Sequence, residues 1–349
     1  MTSPSLSIVV PCFNEEACLA ELHARLTKAA AGAAGEDYEI VLVNDGSRDR
    51  SWAMMQALAQ SDPRLVAINL SRNHGHQLAL TAGLDLCAGA RILIIDADLQ
   101  DPPELLPEMI AEMERRDADV VYAVRRARAG ETRFKRGTAK LFYRVLSKLA
   151  EIDIPLDTGD FRLMSRRALD ALLALPEQSR FIRGMVAWVG FRQVPIVYDR
   201  AERHAGETKY PLGRMMRFAL DAVTGFSTAP LRMASHVGMW LVLASILLLI
   251  YIAIGFFTGT AIQGWTSLML VVVVLGAVQM FVLGMIGEYL GRLYVEAKKR
   301  PLYIVSDIAG RSGGTASLGH VAHLAEPPSG TETIAASETP GGKGKRPIA

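Results

Sequence analysis

Asp96 and Asp98 are the residues whose type and spacing most directly suggest chemistry in this chain. They follow Ile92-Leu93-Ile94-Ile95, an apolar and largely β-branched run that reads as a buried strand, and precede the turn signal Asp101-Pro102-Pro103. Strand residues two apart point the same way, so both carboxylates face one point at the strand's carboxyl end. In open α/β sheets that edge is where ligands bind. Paired hard oxygen ligands there suit Mg2+ or Mn2+ shared with substrate phosphates. A solvated turn fits the same spacing, and Asp-x-Asp alone does not separate the two readings. A second carboxylate pair, Asp157 and Asp160, brackets Gly159. There the alternatives are a helix cap or turn at Asp157, or a surface ion pair between Asp160 and Arg162.

Other chemistries find less support. The three cysteines, Cys12, Cys18 and Cys87, have neither metal-ligand nor disulfide spacing, which fits a reducing compartment. The seven histidines form no His-x-x-x-His pair. A net charge of +2 does not argue for nucleic acid as a partner. The first strand turns through Pro11-Cys12-Phe13-Asn14-Glu15-Glu16, without the glycine fingerprint of a dinucleotide site, so a nicotinamide-dependent oxidoreductase is not expected.

The elements that must position these carboxylates alternate in type. Apolar runs at 6–10, 38–43, 65–70, 92–95 and 119–124 read as strands, and 16–31, 51–60, 77–87 and 103–115 as helices. Such alternation predicts a doubly wound α/β domain with a largely parallel sheet and its polar loops gathered at one edge. A basic segment follows: Arg125, Arg126, Arg128, Arg133, Lys135, Arg136, Lys140 and Arg144. It is either a solvated face or a collector of phosphates near a membrane. Residues 181–198 are apolar and aromatic, and 200–210 form a polar loop whose basic residues flank Gly206.

The second half of the chain changes character. Residues 237–257 and 266–287 carry no charged residue, and about 20 apolar residues at ~1.5 Å each span a bilayer core. The short connection makes them a transmembrane hairpin, with Trp240 and Trp265 near the span ends. Arg214, Arg217 and Arg232 precede it, and Arg292, Lys298, Lys299 and Arg300 follow it. The positive-inside rule then places the catalytic domain and both termini in the cytoplasm, and no secretory signal opens the chain. Residues 212–226 read as an interfacial amphipathic helix. The expected organisation is a catalytic domain at 1–210, a juxtamembrane helix at 211–235 and two spans within 236–290. A cytoplasmic basic segment at 291–309 and a disordered tail at 310–349 complete it.

Six motifs in order carry a family resemblance: Val10-Pro11-Cys12-Phe13-Asn14-Glu15-Glu16, Asn44-Asp45-Gly46-Ser47, Ser71-Arg72-Asn73-His74-Gly75, Asp96-Ala97-Asp98-Leu99-Gln100-Asp101, Gly159-Asp160-Phe161-Arg162-Leu163 and Gly206-Glu207-Thr208-Lys209-Tyr210. Together they resemble family 2 glycosyltransferases of the GT-A fold, nearest to the polyprenyl-phosphate group that includes dolichol-phosphate mannose synthase and bacterial undecaprenyl-phosphate glucosyltransferases. The resemblance implies a doubly wound mixed sheet and inverting transfer of a hexose from a nucleotide sugar, UDP-glucose first, to undecaprenyl phosphate. It implies that Pro11, Asn14, Glu15, Asp45 and Asp96 bind the nucleotide sugar, and that Asp96, Asp98 and Gln100 hold Mg2+ or Mn2+. It further implies that Arg125 or Arg126, with Arg136, meets the lipid phosphate, and that Arg203 and Lys209 lie on a closing loop. Asp160 and Asp157 would stand at the reaction centre, as base or positioning groups, in a bacterial inner-membrane homo-oligomer. Asn44 stands where an aspartate is frequent, and His74 where an aromatic is common. A processive polysaccharide synthase fits less well, because Gln178-Ser179-Arg180-Phe181 departs from Gln-x-x-Arg-Trp. A non-catalytic nucleotide-sugar-binding membrane protein is the remaining alternative.

Overall fold

A computed structural model describes residues 3–125, 158–199 and 264–310, with isolated positions between 236 and 258. The first half alternates as its apolar pattern predicts: β1 (Leu6–Cys12), α1 (Leu19–Ala34), β2 (Tyr38–Asn44), α2 (Ser51–Ser61), β3 (Leu65–Leu70), α3 (His76–Leu86) and β4 (Arg91–Ile94). A 3-10 turn at Pro103–Leu105 leads into α4 (Leu106–Arg115), then β5 (Val120–Arg125). Beyond residue 157 come β6 (Thr158–Ser165), α5 (Arg166–Leu173), α6 (Ile182–Val189), β7 (Gln193–Tyr198), α7 (Trp265–Ala297) and β8 (Val305–Ala309).

Eight strands form one sheet in the order β7-β5-β6-β4-β1-β2-β3-β8. β1 pairs in parallel with β2 and β4, β2 with β3, and β5 with β7. β6 runs antiparallel to both β4 and β5, and β8 antiparallel to β3, so the sheet is mixed. β1 is buried along its whole length because both faces of the sheet are covered. Leu6, Ile8 and Val10 pack with α1 and α4, while Val9 on the other face packs with α3, α5 and α6. The winding reverses between β3 and β4, which opens a crevice at the carboxyl ends of β1 and β4.

Two sequence expectations need correction. The stretch around Gly159, expected as a turn or cap, is the start of the central strand β6. Its Phe161 and Leu163 enter the core while Asp160 and Arg162 are buried on the other face, at 2% and 3% exposure, so this is no surface ion pair. Residues 291–309 are not a separate segment: α7 continues to Ala297 and β8 returns to the catalytic sheet. The apolar run 181–198 divides into α6 and the edge strand β7.

At 33 residues α7 is about 50 Å long, more than a bilayer core requires. Its Val272, Phe281, Leu290 and Tyr294 are all more than half exposed. From Trp265 to Gly287 it carries no charged residue, and an apolar helix this exposed belongs in a membrane or against a partner. It is the one helix among the described residues that is long and apolar enough to cross a membrane. Its last turn is tied to the soluble domain, where the Gln178 N–H donates to Glu296 Oε1 at 2.8 Å. The described positions from His236 to Ile254 are helical, but most of the expected first span lies outside the described residues, as does the juxtamembrane helix.

Candidate active site

The cleft at the switch point is lined by Pro11, Phe13 and Glu15 from the end of β1, Asp96, Ala97 and Asp98 beyond β4, and His76 from the start of α3. Side chains stitch the surrounding loops together. Asn14, at φ 57°, accepts the Arg48 N–H on Oδ1 at 2.8 Å, and its own N–H donates to Ser47 Oγ at 2.9 Å. The Glu15 N–H reaches Ser51 Oγ at 2.9 Å. Asp45 accepts the N–H groups of His74 at 2.7 Å and Gly75 at 3.0 Å, one on each carboxylate oxygen. Gly46, at φ 66°, has no room for a Cβ, which would sit 2.5 Å from Asn73 N. These contacts fix the turn before α3 and hence the position of His76.

The carboxylates meet through strand register. Continuing the antiparallel β4–β6 ladder two residues past Ile94–Arg162 sets Asp96 opposite Asp160. β4 itself ends at Ile94, so Asp96 and Asp98 occupy a turn and not one strand face. Leu99 adopts φ 58° there, and the Gln100 N–H donates to Asp98 Oδ1 at 3.2 Å. Gln100 is buried, and its Oε1 has no hydrogen-bond partner. The ligating atoms of His76, Asp96 and Asp160 lie within 4.8 Å of one another.

Asp160 accepts from His76 Nε2 at 3.0 Å and Gln77 Nε2 at 3.2 Å on Oδ2, and from Arg183 Nε at 2.7 Å on Oδ1. Burial alone would raise its pKa, but His76, Arg183 and Arg162 hold it well below the usual carboxylate range. Asp96 behaves in the opposite way. Burial, reinforced by Asp160, Asp101 and Asp98, pushes it up to about 6 despite His76. His76 Nε2 stands 3.6 Å from Asp96 Oδ1, an oxygen without a hydrogen-bond partner. Burial would lower the pKa of His76, but its hydrogen bond to Asp160 and the charges of Asp96 and Asp160 raise it. A hydrogen-bond-free buried oxygen on a carboxylate crowded by other carboxylates suits a divalent cation.

Pro11, Glu15, Asp96 and Asp98 thus share one cleft, and Asp160 joins it through His76. Asn14 and Asp45 engage the loop backbone. Arg125 Nε donates to Tyr198 Oη at 3.3 Å, and Tyr198 in turn donates to Asp101. Arg126, Arg136, Asp157, Arg203 and Lys209 lie outside the described residues. Sequence reading passed over His76, Gln77, Tyr198 and Arg183. The available signals were weak: two polar residues opening α3, and one charge in the otherwise apolar α6.

The model of the family described as Glycosyl transferase family 2 matches residues 7–173, and that of the GtrB C-terminal hairpin matches 229–293. The chain is 49% identical over 300 residues to an uncharacterized glycosyltransferase, YkcC, of Bacillus subtilis (strain 168), covering 86% of this chain and 92% of that one. This chain belongs to glycosyltransferase family 2. The glycosyltransferase is also 40% identical over 314 residues to the prophage bactoprenol glucosyl transferase homolog of Escherichia coli (strain K12), covering 87% and 99%. Among solved structures, glucosyl-3-phosphoglycerate synthase from Mycobacterium tuberculosis with Mn2+, UDP-glucose and phosphoglyceric acid is similar at a TM-score of 0.42. That likeness has 20% identity and covers 63% of this chain and 78% of the other. The mixed α/β sheet is the GT-A-like fold expected of a member of this family.

Proposed function

We propose that this glycosyltransferase moves a hexose from a nucleotide sugar, UDP-glucose before UDP-N-acetylglucosamine or GDP-mannose, onto undecaprenyl phosphate at the cytoplasmic face of a membrane. The observation that carries this reading is the path of the chain through α7 and β8. A helix without a charged residue from Trp265 to Gly287 is followed by a strand hydrogen-bonded into the catalytic sheet, with Ile308 opposite Ile68. The catalytic sheet is thereby tied to a membrane-length helix, which would bring the domain to a lipid-borne acceptor. The relative named for bactoprenol glucosyl transfer supports the same acceptor. The basic residues flanking the hairpin support the cytoplasmic orientation.

Asp96 and Asp98, with Gln100 nearby, would hold Mg2+ or Mn2+, which supplies positive charge against the departing nucleoside diphosphate. Pro11 and Glu15 would flank the donor. The acceptor phosphomonoester has a second pKa of about 6, so its attacking oxygen is largely ionised at neutral pH and needs little help from a base. Asp160, surrounded by donors, then serves to position His76 and Arg183. Arg125, with Arg126, Arg136, Arg203 and Lys209, would receive the lipid phosphate, and Asp157 would line the approach.

The test is a donor screen with the full chain in detergent, undecaprenyl phosphate, Mn2+ and radiolabelled nucleotide sugars. The expected result is an organic-soluble labelled lipid from UDP-glucose, lost on chelation of the metal. No labelled lipid from any of the three donors would overturn the proposal. Asp98→Ala should abolish turnover in a protein that stays folded, and full activity in that variant would remove the metal role.

A further inference from the structure

Asp160 and Arg183 sit on different elements, and one uncharged side chain ties the pair to a third. Gln77, in the first turn of α3, donates from Nε2 to Asp160 Oδ2 at 3.2 Å and accepts the Ile182 N–H on Oε1 at 2.9 Å. Ile182 opens α6 and is buried at 1% exposure, so its N–H has no earlier turn to bond and little access to water. Phe181, just before it, supplies no side-chain cap. The amide can stand only one way round. A backbone N–H demands an acceptor, which puts Oε1 at Ile182, and the donor end then meets a carboxylate held ionised by its neighbours. Gln77 thereby joins α3, β6 and α6, the three elements that carry His76, Asp160 and Arg183.

The same carboxylate oxygen leads to the cleft. Asp160 Oδ2 takes donors from both Gln77 Nε2 and His76 Nε2, the second at 3.0 Å, and His76 lines the cleft beside Asp96. Arg183 Nε bonds the other oxygen at 2.7 Å from α6, the helix whose first N–H ends on Gln77. A ring of contacts closes: Gln77 to Asp160, Asp160 to Arg183, and α6 back to Gln77. Apolar burial alone does not fix such an arrangement. Leu80 of α3 and Ile182 and Met185 of α6 share one buried cluster, which holds the helices together but is non-directional. The hydrogen bonds supply the direction.

We propose that Gln77 is a positioning residue of the reaction: it fixes the Asp160 carboxylate, and through it the His76 imidazole in the cleft, and touches no reactant itself. His76 is among the residues that line the cleft, and Gln77 is not. This inference rests on the glycosyl-transfer reading only for the reaction whose rate is measured. A group that acts by orienting others is felt in the transition state more than in binding, since a misplacement of about 1 Å can cost on the order of a hundredfold in rate.

The test separates the two ends of the amide. Gln77→Glu keeps an oxygen for the Ile182 N–H but sets a second carboxylate against Asp160. Gln77→Met removes both bonds and keeps the length of the side chain. On the full chain in detergent, kcat, KM for UDP-glucose, KM for undecaprenyl phosphate and Tm are measured. The expected result for Gln77→Glu is a fall in kcat of at least tenfold, with both KM values within threefold of wild type. Gln77→Met should lose kcat as well, and its Tm should drop by no more than about 6 °C, the scale of one or two lost hydrogen bonds. A smaller fall of kcat in Gln77→Glu would show that Gln77 only caps α6, and would overturn the proposal. So would a rise of both KM values that accounts for the lost activity. A second readout needs no turnover: the ring-carbon resonance of His76 in protein with carbon-13-labelled histidine, identified by its loss in His76→Ala. It should move in Gln77→Glu while that of His23, on α1, stays in place, and an unmoved His76 signal would overturn the proposal. Failure of wild type to make glycolipid would count against the function alone, and the resonance would then decide this inference. Should Gln77→Glu not fold, Gln77→Met is read by the same two measurements with the same thresholds.

Discussion

Asp96, partly buried in the turn after β4, and Asp160, buried near the start of β6, are carboxylates opposite each other in register, yet their surroundings drive them in opposite directions. Asp160 has hydrogen-bond donors on both oxygens and a guanidinium fork, and stays ionised far below the usual range. Asp96 has an oxygen with no hydrogen-bond partner and a pKa pushed up to about 6 by burial and neighbouring carboxylates. The difference separates two roles within one cleft. Asp160 joins three elements together, whereas Asp96 leaves its strongest interaction to be made by something that binds. The largest expected effect follows from this contrast. Asp160→Asn strands Arg162 in the core without a counter-charge and should lower stability by about 3–5 kcal/mol, read as thermal or denaturant unfolding of the purified chain. An Asp160→Asn protein with unchanged Tm and no turnover would instead make Asp160 the reaction's base and break the contrast.

Asp96→Asn should act with the opposite sign on stability. A carboxylate whose folded pKa is raised binds its proton more tightly in the native state, so its ionisation lowers stability as pH rises from about 4 to about 6. Above about 6 the full penalty is present, and removing the charge should stabilise the metal-free protein by about 1–3 kcal/mol at pH 7–8. The stability gap between variant and wild type should close as pH falls to 4. Asp160, with its depressed pKa, contributes stability above the usual carboxylate range and loses it only as pH falls through its own lower value. Turnover of Asp96→Asn should fall at least about 100-fold, the scale of removing a group that stabilises transition-state charge. Addition of Mn2+ should raise the Tm of wild type and not of the variant. A destabilised Asp96→Asn would show that Asp96 is architectural after all.

The sequence reveals these two carboxylates unequally, for physical reasons. The strands β1 to β5 are legible because each is a short run of apolar, mostly β-branched residues buried on both faces, and the motif at Asp96 stands out where such a run stops. The reason inferred for the pairing is nonetheless incomplete. Asp96 and Asp98 are held by a turn with Leu99 at positive φ, and Asp96 meets Asp160 through the register of an antiparallel strand. β6 is hidden because its polar face is buried, with Asp160 held by donors from α3 and α6 and Arg162 by strand carbonyls, so both residues read as solvent-facing. β8 has no local signal at all, since its partner is far upstream: Asn69 meets Asp307 across 238 residues. His76 and Arg183 become site residues only when α3, β6 and α6 converge, and a single polar residue on a helix does not announce that meeting.

The smallest expected effect sharpens the contrast by touching the neighbour of Asp160 without opening its set of donors. A Cβ at Gly159 would lie 2.9 Å from Arg125 Nη2, the far end of a flexible side chain. Gly159 has no positive φ to lose, so Gly159→Ala should change stability by no more than about 0.5 kcal/mol, as for other substitutions that a mobile neighbour can accommodate. The guanidinium of Arg125 must move, however, and its bond to Tyr198 Oη, already 3.3 Å, should weaken. If Arg125 serves the lipid phosphate, KM for undecaprenyl phosphate should rise several-fold while KM for UDP-glucose stays within error. Asp160 keeps its bonds to His76, Gln77 and Arg183 in that variant, because none of them passes through the glycine Cα. A rise in donor KM with unchanged acceptor KM would place Arg125 on the Asp96 side of the cleft, and the division between the two carboxylates would have to be redrawn there.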